Sequence, residues 1–94
     1  MTNLTEHGKE RAADRLKTYL ELLGKKPIVA VKEVDKNHKN GIERHVIHQN
    51  RLVYIYNVRT NKFVTVLYAR DGQLKRYGLN PADFDKFVHG LNNI

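Results

Sequence analysis

Near the start of the chain, His7, Arg11 and Arg15 follow one another at intervals of four residues. Residues four apart on a helix stand one above another, so an imidazole and two permanent cations would share one side of it. Imidazole takes up and releases a proton near neutral pH, and guanidinium groups hold phosphate oxygens. The chemistry that suits this set is the holding, or the cutting, of a phosphate backbone. The competing reading is ordinary helix surface: His7 solvated near the helix start, with Arg11 and Arg15 among weak ion pairs formed by Lys9, Glu10 and Asp14.

Composition points the same way. Lys and Arg number 17 against 10 Asp and Glu, a formal charge of +7. Such a surface attracts polyanions, and nucleic acid, RNA or DNA, is the expected partner. Hydrophobic residues make up 40% of the 94 residues, which fits one compact domain over 1–94. The absence of cysteine excludes disulfides, thiolate metal sites and a Cys nucleophile. The longest apolar run, Ile28-Val29-Ala30-Val31, is too short for a membrane span. The first residues lack the basic segment and apolar stretch of a secretory leader, so a cytoplasmic protein is expected.

These side chains need elements to position them. Leu4 to Leu23 reads as a helix, with Thr5 as N-cap, an apolar stripe of Ala12, Leu16, Tyr19, Leu20 and Leu23, and Gly24 as its stop. On an ideal wheel Arg15 borders that stripe and His7 lies nearly opposite. The three converge only if the chain bends near His7. Strands follow over Ile28 to Val34, Ile42 to His48, Leu52 to Val58 and Phe63 to Arg70, separated by turns rich in Asn and Gly. Phe63 to Arg70 is apolar on both faces, as a central strand would be. Leu74 to Leu79 reads as a short fifth strand, and Asn80-Pro81 opens a terminal helix. The expected class is α+β: an N-terminal helix, a four- or five-stranded antiparallel meander and a C-terminal helix. The two helices would cover one sheet face and leave the other partly wet.

Other groups carry weaker signals. His45 and His48 invite a metal, yet residues three apart on a strand point to opposite faces, so no metal or other cofactor is expected. His89 reads as structural. Tyr54, Tyr56 and Tyr68 with Arg44, Arg51, Arg59 and Arg70 can stack bases and hold phosphates, or simply pack and solvate the sheet. Lys75-Arg76-Tyr77 with Arg70 would line one edge of a cleft, or protect an edge strand by charge. The edge from Ile28 to Val34 can pair with a copy of itself, so a monomer and a homodimer are both open.

His7-x-x-x-Arg11-x-x-x-Arg15 on an opening helix, followed by a sheet with Lys62-Phe63-Val64-Thr65-Val66-Leu67, resembles small toxin-like and phage proteins of the barnase–EndoU–colicin–RelE type. The resemblance implies a metal-independent endoribonuclease. In it His7 would be general base or acid, Arg11 would bind phosphate beside it, and Thr65 would orient the phosphate or the attacking hydroxyl. Arg15, Lys62, Arg70, Lys75, Arg76 and Tyr77 would hold the nucleic acid. It also implies an acidic inhibitor protein as partner. The alternative is a non-catalytic phage or mobile-element module that binds nucleic acid or a nucleoprotein complex.

Overall fold

The computed structural model describes residues 6–24, 28–39 and 41–91, with side chains in the first helix from Asp14 onward. Helix α1 spans Glu6–Leu22. Its stripe delivers a buried Tyr19 and half-buried Leu16, Leu20 and Leu23. Gly24 stops it with φ +76°, a left-handed conformation that glycine adopts without steric cost. Thr5 lies outside the described residues, as do the side chains of His7 and Arg11.

Four antiparallel strands follow in chain order: β1 (Ala30–His38), β2 (Gly41–His48), β3 (Leu52–Asn57) and β4 (Lys62–Tyr68). At the first hairpin His38 pairs with Gly41, whose φ is +120°. The second turns at Arg51, φ +73°, where the Asn50 side chain accepts the Leu52 amide at 3.1 Å. The third is capped by Asn57, whose Oδ1 accepts from the Thr60 amide and hydroxyl. β1 runs further than the expected Ile28 to Val34. Pairing with β2 satisfies the backbone groups along one of its edges although nearly all its side chains are exposed.

β3 is buried on both faces and builds two cores. Leu52 meets Val66, Tyr68 and Tyr19 of α1 on one side. Val53 and Ile55 meet Ile47, Leu74, Tyr77 and Phe84 on the other. Each fully buried aliphatic side chain contributes about 1.5–3 kcal/mol. The expected centrality of β4 is corrected here: β4 is an edge strand, and its second apolar face is explained by helices on both sides of the sheet rather than by strands on both flanks.

The α+β class holds, with an N-terminal helix, a four-stranded antiparallel sheet and a small C-terminal helix. That helix, α2 (Asp71–Arg76), occupies the place expected of a fifth strand. The segment has no β-branched residue, an acid in its first turn, and Lys75 and Arg76 in its last, all of which favour a helix. Asn80-Pro81 opens only a 3-10 turn, Pro81–Asp83, capped by the Asn80 side chain. The chain then extends, because tertiary bonds replace helical ones. The Asp85 amide donates to the Gln49 carbonyl, Arg51 Nε donates to the Asp85 carbonyl, and the Val88 amide donates to the Tyr68 hydroxyl. This strap carries Phe84 to one core and Phe87 and Leu91 to the other. The two helices therefore lie on opposite faces of the sheet, not on one.

Candidate functional site

The sheet face beneath α2 gathers polar side chains at its β1–β2 end. Alternation along β1 sets Lys32, Val34 and Lys36 on that face, and along β2 it sets Glu43, His45 and Ile47 there, with Val34 paired to His45 and Lys36 to Glu43. Tyr77 reaches this face from the end of α2. Leu74, fully buried, anchors the helix. Gly78, φ +79°, closes it: the Gly78 amide donates to the Lys75 carbonyl and the Leu79 amide to the Leu74 carbonyl, the paired bonds of a Schellman end. Leu74 and Leu79 meet in the same core, which fixes the direction in which Tyr77 leaves the helix.

The Tyr77 hydroxyl lies 2.8 Å from His45 Nδ1. The Lys36 ammonium stands 4.8 Å from the Tyr77 ring centroid, a cation–π contact. Lys32 Nζ donates to the Tyr77 carbonyl at 2.8 Å. Burial holds the His45 imidazole below its usual pKa, Lys36 adds to that, and Glu43 opposes it. Burial raises the Tyr77 phenol, and the Gln73 side chain works against the rise. At neutral pH the site therefore presents a neutral imidazole and a protonated phenol beside two ammonium groups. When Nδ1–H donates to the phenol, Nε2 presents a lone pair; no described side chain hydrogen-bonds that nitrogen. Such a set can bind an anion and accept a proton from it or from a group attached to it.

Of the residues singled out from the sequence, Tyr77 sits in this cluster, and Lys75 and Arg76 precede it as exposed groups on the last turn of α2. Thr65 shares the face. It is paired to Ile55, which is paired to His45, so it stands two strand spacings, roughly 10 Å, away. Lys62 is exposed at the start of β4. Arg70 is exposed beside α2, its guanidinium 5.3 Å from the Phe87 ring centroid, on the rim of a hollow of about 300 Å³ that Asp71 and His89 also line. Arg15 is exposed on α1, which packs over the opposite face. The His7 and Arg11 side chains lie outside the described residues; the helix that bears them is the same α1.

Lys32 and Lys36 are functional candidates that pattern reading passed over, and His45 is one that it weighed only as a metal ligand. The signal was available in the two-residue alternation of Lys32, Val34 and Lys36 opposite His45 and Ile47. Several other aromatic and basic residues are engaged in the fold. His48 faces away from His45: its Nδ1 contacts the Leu52 carbonyl at 2.8 Å, and its ring lies 4.4 Å from that of Tyr54. Arg44 grips Asp35 through two bonds of 2.8 and 3.2 Å. Arg51 is buried among carbonyls. Among the described residues, no group of three His, Asp or Glu side chains is placed to share a metal ion, and no helix is long and apolar enough to cross a membrane.

No family model, curated protein or solved structure matches this chain.

Proposed function

We propose that the protein binds RNA through the face that carries Lys32, Lys36, His45 and Tyr77, and that it cleaves the RNA backbone without a metal ion. The observation that supports this reading is the His45–Tyr77 bond of 2.8 Å beneath the Lys36 ammonium. Neutral His45 takes the proton of a ribose 2′-hydroxyl as that oxygen attacks the adjacent phosphorus. The ammonium of Lys36 offsets the charge that builds on the phosphoryl oxygens, where electrostatic stabilisation acts most strongly. Tyr77 holds the imidazole ring in place, and the imidazolium returns its proton to the departing 5′-oxygen. The excess of 17 basic over 10 acidic residues draws the polyanion to the surface.

The test is incubation with total RNA in EDTA, comparing the native protein with His45→Ala and His7→Ala. Cleavage that survives His7→Ala and fails with His45→Ala supports the reading. The reverse pattern moves catalysis to α1. Intact RNA with salt-sensitive binding leaves the non-catalytic module.

A further inference from the structure

β1 pairs with β2 along one edge only; among the described residues no strand lies on its other edge. The opposite end of the sheet, β4, lies against α1. Proteins usually guard a free edge with a bulge, a proline or charge; here the guard is charge, carried by Lys32, Glu33, Asp35 and Lys36. The one bulge in β1 is at Val31, and from Lys32 to His38 the pairing to β2 runs without interruption and without proline. Val34 is half-buried and every other residue of β1 is exposed. A regular, accessible edge of this kind is a template for an added strand.

Its charge order says which strand fits. Lys32 and Lys36 face the α2 side, and Glu33 and Asp35 face the other, symmetrically about Val34. A second copy of the chain is a poor occupant. Centred on Val34, an antiparallel two-fold pair sets Lys32 against Lys36 and Glu33 against Asp35. Shifts by one pleat set Glu33 or Asp35 against itself, and shifts by two set Lys32 or Lys36 against itself. Like charges directly opposite one another destabilise a sheet pair.

We infer that β1 accepts an extended segment of a partner protein whose side chains run acid, base, apolar, base, acid opposite Lys36, Asp35, Val34, Glu33 and Lys32. The order is palindromic, so it fits in either strand direction. The inference does not depend on the proposed reaction.

The test uses the full chain and a capped peptide with the core Glu-Lys-Val-Lys-Glu flanked by threonines, against the reversed core Lys-Glu-Val-Glu-Lys. The first peptide shifts the backbone amide resonances of β1 and slows their hydrogen exchange. Reversing the pairs opposite Lys36 and Glu33, and less strongly those opposite Asp35 and Lys32, which Arg44 and the Tyr77 carbonyl already engage, weakens the second by at least about tenfold. Lys32→Glu/Lys36→Glu leaves each peptide with two matched and two clashing pairs and removes the preference. Equal binding of the two peptides to the native protein, no change at β1, or self-association of the protein through β1 overturns the inference. The peptide comparison on the native protein stands even if the double variant misfolds.

Discussion

Arg51 Nη1 stands 2.7 Å from the Asp71 carboxylate, an ion pair between a side chain only 4% exposed and one 63% exposed. It ties the β2–β3 turn to the start of α2. The two ends contribute unequally. Arg51 also donates to the Asp85 and Ala69 carbonyls, so it fastens the C-terminal strap as well as the helix. Arg51→Met removes the charge and both carbonyl bonds and is expected to cost about 2–4 kcal/mol. Asp71→Asn, at a solvent-screened position, costs under about 1 kcal/mol. Urea unfolding of the two variants checks the asymmetry; equal losses would mean that the ion pair, rather than the carbonyl bonds, carries the stability.

Tyr54 presents the opposite case. Its hydroxyl is buried, and no described group bonds it. Burial, with Tyr56 adding, pushes its pKa up to about 12, so it stays a neutral phenol at any ordinary pH. The ring packs well, edge-on to Phe63 and close to His48. Tyr54→Phe keeps those contacts and removes an unpaired polar atom, so it stabilises the protein by up to about 1 kcal/mol. A lower melting temperature for this variant would show that the hydroxyl has a partner in solution.

Periodicity exposed the layers more readily than their arrangement. The stripe ending at Leu23 produced α1, and the Asn-Gly pair before Ile42 marked the first hairpin, because those signals are local; Asp71-Gly72, which also reads as a turn, opens α2 instead. The side of the sheet on which each helix lies is not local. It depends on the strap from Phe84 to Leu91, whose bonds to Gln49, Arg51 and Tyr68 cross the fold. The same gap hid the candidate site. Tyr77 stood out by its charged neighbours, but His45 lies 32 residues earlier and becomes its partner only once α2 replaces a fifth strand. The motif from His7 to Arg15 is visible in sequence because it is contiguous; of its three side chains Arg15 is described, exposed on the helix that covers the face opposite Tyr77.

Burial lowers the pKa of His45 and of His48, with Lys36 adding at His45 and the Leu52 carbonyl opposing at His48. A folded pKa below the unfolded value means that the unfolded chain binds more protons in the interval between them. Stability is then complete above the unfolded value of about 6.5 and falls as pH drops through that interval. Lys36, Glu43, Tyr77 and Gln73 all face His45 or its phenol partner, and of the charged pair only Glu43 favours imidazolium. The melting temperature is expected to decline from pH 7.5 to pH 5.5, less steeply in His45→Gln. An unchanged slope in that variant would assign the proton uptake to His48.

The two faces of the sheet make separable predictions for RNA. Lys32 and Lys36 flank Tyr77 on the α2 side, whereas Arg15 projects from α1 on the other. A cation that neutralises a phosphate releases a condensed counterion, so its removal weakens binding and flattens the dependence of affinity on salt by about one counterion. Lys36→Gln is therefore expected to lower both affinity and salt slope for a short single-stranded RNA, and Lys32→Gln to do so less, because its ammonium is already bonded to the Tyr77 carbonyl. Arg15→Gln leaves both unchanged. Fluorescence anisotropy at several salt concentrations reads all three variants side by side. A slope that falls with Arg15→Gln and holds with Lys36→Gln would place the phosphates along α1, where the spacing of His7, Arg11 and Arg15 first suggested them.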